Sequence, residues 1–423
     1  MILLEENILD CDEHVFSPLS DIRVLGVTVF LAGPYTMVNL ARLGAEAIKV
    51  EIPGRGDPVR GNGPFATQNG YEKFQTSPQH LSTRFLKRSQ GLKSITLNLK
   101  DECGKKMFLD LAKNSDVLVE NLSPGSMSKL GLGYKEVSEV NSEIIYASIS
   151  GYGQTGKYSA HKAHDPQIQG MSGIMDINGY PDGPPTRIGF YIGDLVTPVF
   201  ACYSILAALK ERDKTGKGQH IDVSMMDTLT SLMLMDNLEE LINEQGTLRQ
   251  GNGTRTGPTG LYHLVDGDIT ITVASDDQWE RLSKALNRPD FLSDPRFSTF
   301  DQRNRNVTDA KEEIQKSLSI YSRKKALDLL EIHGVPSGVV RSVDEVIEDS
   351  HFWDRKTLLS MRSSAFEDPV PGIASGFPVK FSYGELPDLD GAPVLGVNNQ
   401  EVFEKLLNLK VDDLIDLEKR GII

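Results

Sequence analysis

The chain has 423 residues, 39% hydrophobic and 25% charged, with no biased tract, so collagen-like, low-complexity and wholly disordered classes are excluded. Its length exceeds the usual single domain and leads to an expectation of about two or three. The 45 basic and 59 acidic residues sum to −14, a sign that repels polyphosphate backbones and excludes nucleic acid as a general partner, while a local basic site for one phosphorylated small molecule stays open.

The three cysteines, Cys11, Cys103 and Cys202, are too few for a disulfide framework and lack metal-ligand spacing, so they read as free thiols of a reducing cytosol. The opening MILLEENILDCDEH is acidic and has no basic n-region, which argues against a secretory signal. The longest apolar run, residues 195–209, reads as too short to span a bilayer and contains Pro198. The expectation is a cytoplasmic protein with no membrane partner.

In chain order, IRVLGVTV reads as a strand, GPYTMVNLARLGAE as a helix, AIKVEI and SITLNL as further strands, DECGKKMFLDLAKN as a helix and DVLVEN as a strand. SPGSMSKLG then opens another helix and IIYASIS another strand. Such alternation predicts an α/β fold with a doubly wound, mainly parallel sheet. Residues 151–189 form a long connection rich in Gly and Pro, of the kind that carries function. After it come a predicted strand RIGFYI, a buried helix DLVTPVFACYSILAALKERD, the strand HIDVSM and a helix from MMDTL. Composition shifts again at GTLRQGNGTRTGPTG, an inter-domain loop or flap. A hairpin of LYHLV and DITITVA around Asp266, Gly267 and Asp268, followed by two helices, reads as a small α+β unit.

No P-loop, no G-x-G-x-x-G after a strand, no H-E-x-x-H and no G-x-S-x-G occurs, which disfavours nucleotide and dinucleotide chemistry. His161 and His164 in HKAH are spaced for one metal only if helical, and no third ligand accompanies them, so no metal is expected. In VTVFLAGPYTM a strand delivers residues 29–32 into a Gly-Pro turn opening a helix. That is either an amide-lined anion cradle or a plain βα turn with Pro34 at the first helical position. Lys87, Arg88, Lys93 and Lys129 gather around strand ends, where an open α/β sheet binds ligands, or are scattered solvated cations. In GFYIGDLVTP, Asp194 stands where a helix begins. It reads equally as an N-cap and as a carboxylate nucleophile, with Gly193 leaving space beside it for an electrophile.

The ordered set PLSDIRVLGVT, AGPYTMVNLARLGAEAIKVE, PGRGDPVRG, LKSITLNLK, DVLVENLSPGSMSKLGL, IIYASISGYGQTGKY, IGDLVTP and TGKGQHIDVSMMD resembles the class III CoA-transferases, the family of formyl-CoA and carnitine CoA-transferases. The resemblance runs from about Pro18 to the C-terminus and is densest over the first 230 residues. It implies that Asp194 is the nucleophile of a transfer through an aspartyl-CoA thioester, with coenzyme A as co-substrate and no metal. It implies CoA contacts at Val29, Phe30, Leu31, Ala32, Lys93, Asn121, Leu122, Lys129 and Leu130, and places Lys162 and His164 beside the thioester. Ile52 departs from an arginine of formyl-CoA transferases, for which Arg55 is the substitute, and GNGTRTGPTG stands loosely for the family's shielding glycine loop.

The same resemblance implies a large Rossmann-like domain over 16–224 and 335–423, a small domain over 225–334, and a homodimer of interlocked rings, with a heteromer containing a paralogous subunit as its alternative. The segment from His164 to Asp194 resembles the branch that moves CoA from succinyl-CoA to substituted dicarboxylates such as benzylsuccinate, malate or mesaconate, with Arg187 a candidate partner for a second carboxylate. Two alternatives accompany this reading. Ala163-His164-Asp165 with Gly193-Asp194 resembles the paired bases of α-methylacyl-CoA racemases, and a non-catalytic CoA-binding subunit is the third class.

Overall fold

Six short runs, most of them rich in Val, Ile and Leu, form one wholly parallel sheet in the computed structural model, which describes residues 15–236, 238, 242, 249–253 and 257–423. The strands are β1 (Arg23–Val27), β2 (Glu46–Glu51), β3 (Lys93–Thr96), β4 (Val117–Glu120), β5 (Ile145–Ser150) and β6 (Gln219–Ser224), in the spatial order β3-β2-β1-β4-β5-β6. The chain winds outward from β1 to β3, then returns to β4 on the other side of β1. The order therefore reverses between β1 and β4, and in open α/β sheets ligands bind beyond the carboxyl ends of the strands at such a reversal.

Alternate residues of the strands bury on opposite faces, as a sheet covered on both sides requires. Leu25, Ile48, Leu118 and Tyr146 pack with Phe108 and Leu111 of the helix Glu102–Lys113 and with Phe403 and Leu417 near the C-terminus. Val24, Ala47, Val117 and Ile145 pack on the other face with Met37 of α1 (Ala32–Arg42) and with Ala201 and Ile205 of a long helix described below. The C-terminal segment thus supplies core to the first sheet.

The described residues fall into two compact units: those of 15–174, 188–236 and 350–423 in one, those of 175–187 and 238–349 in the other. The second has its own core of Trp279, Phe291, Phe297, Ile314 and Leu330 under the hairpin β7 (Gly260–Leu264) and β8 (Gly267–Ile271). Its third strand, β9 (Ser337–Val339), pairs with β8 beyond residue 334, where the sequence reading ends the small domain. The hydrogen-bond ladder of β8 needed a partner that a pattern of only three residues does not announce.

Three local expectations are corrected. Residues 187–191, read as a strand, are irregular. Pro34 is the third residue of α1, which begins at Ala32, not the first. The apolar run read as too short to span a bilayer belongs to a helix of 24 residues, Ile192–Thr215, whose best 18-residue window has a mean hydropathy of 1.7, long and apolar enough by those criteria to cross a membrane. In the fold its Ala201, Ile205, Ala208 and Leu209 are core, while Val199 and Tyr203 are exposed. Cys103 and Cys202 are free thiols, and Cys11 lies outside the described residues.

Candidate active site

The carboxyl end of β1 is built by side chains from three other segments. Asn121, one residue past β4, is a two-way clamp: its Oδ1 accepts the Val29 N–H at 2.8 Å and its Nδ2 donates to the Val29 carbonyl at 2.9 Å. Close approach requires Gly33, since a Cβ there would lie 2.6 Å from that Oδ1. Phe30 then takes the left-handed conformation, φ 62°, which side chains other than glycine's rarely adopt. Its N–H donates to Asp57 Oδ1 at 3.2 Å, and its carbonyl accepts from Arg88 Nη1 at 3.2 Å. Asp57 is fixed in turn. It accepts the Val59 N–H at 2.9 Å, capping the turn Pro58–Gly61, and its Oδ2 lies 2.9 Å from Lys49 Nζ in a wholly buried ion pair. Lys49 also donates to the Thr28 carbonyl. Phe30 itself stays exposed, with its ring edge-to-face to His164, centroids 6.3 Å apart.

The second wall is the segment that begins at His164. Helix α5 (Asp165–Met171) starts with a buried acid, 1% exposed, whose Oδ2 accepts the N–H of Gly193 at 2.7 Å and of Asp194 at 3.4 Å. Asp165 therefore supplies the anionic cap for α6 (Ile192–Thr215) from a distant part of the chain. Gln169 completes the arrangement: its Oε1 accepts the Ile188 N–H at 2.8 Å, and its Nε2 donates to Asp165 Oδ1 at 2.6 Å and to the Phe190 carbonyl at 3.2 Å. One side chain thus satisfies the backbone of a segment that would otherwise have needed a neighbouring strand, which is why residues 187–191 form none.

Asp194 is the third residue of α6 and makes no capping bond; the N-cap is Tyr191. The N-cap reading is therefore overturned, because Asp165 already holds the amides an N-cap would serve. Pro198, lacking an N–H, also leaves the Asp194 carbonyl without its intrahelical donor. Burial, with the nearby Asp165 adding to it and Arg88 opposing it, pushes the Asp194 carboxyl up to about 6. The expected space at Gly193 is not there either: a Cβ would meet Asp165 Oδ2 at 3.1 Å and Met225 Cε at 3.2 Å, so this glycine serves the approach of Asp165.

Of the residues singled out from sequence, Phe30 and His164 meet ring to ring and Arg88 links the Phe30 carbonyl to the charge of Asp194, with Val29 and Asn121 bonded beneath Phe30 and Leu31 and Ala32 buried at the start of α1. Leu122 donates its N–H to Glu120 Oε2 at 2.9 Å, and Leu122 and Leu130 pack against the sheet core. Arg55, Lys129 and Lys162 are exposed cations, the first in the turn after β2, the second at the end of α4 (Ser126–Lys129) after β4. Lys93 is elsewhere. It opens β3, at the amino end of an edge strand, and is held by Glu46 at 2.8 Å and by Glu401. Arg187 belongs to the second compact unit. In the flap GNGTRTGPTG, residues 254–256 lie outside the described residues. Sequence reasoning did not single out Asp57 and Gln169, and met Asp165 only within the racemase-like Ala163-His164-Asp165, not as the cap of α6. The Asp-Pro pairs in GRGDPV and AHDPQ were the available signal, since each puts an acid where a turn or helix begins.

A family model described as CoA-transferase family III matches residues 19–399. The chain is 33% identical over 393 residues to a succinyl-CoA:mesaconate CoA-transferase of Haloarcula marismortui, covering 92% of this chain and 96% of the relative. It is 33% identical over 418 residues to a succinyl-CoA–D-citramalate CoA-transferase of Chloroflexus aurantiacus, covering 96% and 98%. A solved CAIB/BAIF family protein from Brucella suis superposes with a TM-score of 0.80 at 30% identity, over 92% of this chain and 99% of that one.

Proposed function

Because the chain belongs to CoA-transferase family III, and is thereby a CoA-transferase working on CoA thioesters, we propose that it moves CoA from succinyl-CoA to a dicarboxylic acid through a thioester on Asp194. The single observation that carries the assignment of Asp194 is its release from structural duty. It sits in the first turn of α6, close enough to Arg88 to feel its charge, yet the cap is made by Asp165. A carboxylate with no capping bond, half-buried and pushed up to about 6, is ionised at neutral pH and more nucleophilic than a solvated acid.

The steps balance as two symmetrical exchanges. The Asp194 carboxylate attacks the acyl-CoA carbonyl and expels CoA thiolate, leaving a mixed anhydride. The thiolate attacks the aspartyl carbonyl of that anhydride, releasing the donor acid and forming the aspartyl-CoA thioester. An incoming carboxylate then attacks this thioester, thiolate leaves and returns to the acceptor's acyl carbon, and the Asp194 carboxylate is restored. No water enters, since hydrolysis would dissipate the thioester. Phe30 and His164 line the approach, and the clamp of Asn121 on Val29 fixes the turn against which the pantetheine arm is placed in this reading. Lys129 and Arg55 are assigned to the phosphate end, Lys162 with His164 to the thioester, and Leu31, Ala32, Leu122 and Leu130 to apolar and backbone contacts. Lys93, at the amino end of β3 and held in two ion pairs, receives no role at CoA in this reading.

We assign the first unit, which holds the six-stranded sheet, to CoA binding and the second to the small domain of the family, in an interlocked homodimer. The experiment is transfer of CoA from succinyl-CoA to a panel of acids: turnover with dicarboxylates and none with monocarboxylates supports the reading, and the reverse pattern rejects it. Exchange of an α-proton in heavy water without CoA transfer would instead mark a racemase.

A further inference from the structure

Beside the proposed nucleophile stands a cation whose donors the protein leaves mostly unused. Arg88 ends α2 (Thr83–Arg88), a short helix anchored by the buried Phe85 and Leu86 and capped by Ser82. The anchoring fixes where the Arg88 stem leaves the helix. Its guanidinium carries five N–H donors. One is spent on the Phe30 carbonyl at 3.2 Å. Among the described residues no carboxylate lies within ion-pair distance of it. Asp57 and Asp194 are its nearest acids by electrostatic influence, but the first is taken by Lys49 and the second is the reacting group. Desolvation by burial is the largest effect on this guanidinium and disfavours its charge. A half-buried arginine that gives up hydration without gaining an ion pair is costly unless an anion arrives.

We propose that Arg88 is the specificity-determining residue for the second carboxylate of the substrate, which it holds by a forked, charge-assisted pair while Asp194 reacts with the first. This rests on the transferase reading above and names the group that makes it dicarboxylate-specific. The position distinguishes this anion from the phosphates of CoA. The distal carboxylate of a succinyl group is a short carbon chain from the reacting carbonyl, so a cation that feels the Asp194 charge is within its reach. The phosphates lie at the far end of the pantetheine arm. The planar fork of arginine also matches a carboxylate in two places, which a lysine ammonium does not. Arg84, one turn earlier on the same helix and exposed, adds positive potential at the same mouth. The competing account is purely structural: Arg88 holds the carbonyl of the left-handed Phe30 and nothing else.

The test compares Arg88→Gln and Arg88→Lys with the parent enzyme, full length, using succinyl-CoA against butyryl-CoA as donor and glutarate against butyrate as acceptor. The expected result is a fall in the dicarboxylate-to-monocarboxylate ratio of kcat/KM by about tenfold to a hundredfold in Arg88→Gln, the size of a lost charge-assisted pair. It should appear mainly as a raised KM, with partial rescue in Arg88→Lys. Equal losses for both substrate classes would assign Arg88 to Phe30 and overturn the proposal, as would an unchanged ratio. Should Arg88→Gln fail to fold, Arg88→Lys carries the same comparison, with the parent enzyme's preference for succinate over its monomethyl ester as reference. Absence of any transfer to dicarboxylates by the parent would reject the functional reading itself, a different outcome from an unchanged ratio.

Discussion

Two acids a short distance apart are given opposite work by their surroundings. Asp165 is spent on the amides of Gly193 and Asp194, and Asp194 is left with a raised affinity for its proton. Asp194→Asn is expected to lower kcat by about 10³-fold or more, because the change removes the proposed nucleophile and not a binding contact. The parent's kcat/KM should fall on the acid side with a midpoint near 6, measured as a pH–rate profile of the free enzyme. Stability should move the other way. The folded-state value of about 6 lies above the ordinary 3.8, so the folded protein binds this proton more tightly than the unfolded chain. Stability is lost as pH rises between the two values. Above pH 6 Asp194→Asn is therefore expected to be more stable than the parent by about 1–2 kcal/mol, allowing for partial exposure, in urea melts. Glu120, buried at the end of β4 and pushed up to about 7 chiefly by that burial, should behave alike: Glu120→Gln removes a stability loss that the parent suffers between pH 4.5 and about 7.

At the scale of elements, the turn after β1 and the start of α6 are each held by an acid from elsewhere in the chain. Asp57→Ala leaves Lys49 buried without its partner and Phe30 without its acceptor, and is expected to cost about 3–5 kcal/mol in chemical denaturation. Gly193→Ala pushes against Asp165 Oδ2 and Met225, so activity is expected to drop while the melting temperature changes little, read by parallel kinetics and calorimetry. These dependences explain what the sequence disclosed. β1, α1, β2, β4 and β5 were legible because burial on both faces of a parallel sheet leaves continuous apolar runs. The irregular 187–191 segment was not: RIGFYI carries a strand-like pattern, and only the side chain of Gln169, some 20 positions earlier in sequence, diverts its backbone from a ladder. Asp194 was found by its position after a glycine, yet its freedom from capping depended on Asp165, visible only in three dimensions. Lys93 was read as near the ligand because it stands at a strand end and matches a CoA contact that the family resemblance implies. Which end of that strand lies on the carboxyl side of the sheet is set by the parallel order, and Lys93 lies at the other end.

For the whole molecule, the strand order β3-β2-β1-β4-β5-β6 places the one reversal where the acids and the clamped turn converge, so topology and chemistry agree on a single location. The long α6 both carries the proposed nucleophile and leaves Val199 and Tyr203 exposed on a largely apolar helix. Light scattering is expected to give twice the 46.7 kDa chain mass, with no folded monomer on dilution. The central claim is a bond to one carboxyl group. Peptide mass spectrometry after a brief incubation with succinyl-CoA and acid quench should find coenzyme A, less one water, on the peptide containing Asp194, and the adduct should disappear with an acceptor dicarboxylate. A preparation that transfers CoA while that peptide stays unmodified, or an Asp194→Asn variant that transfers it at the parent rate, would contradict the account.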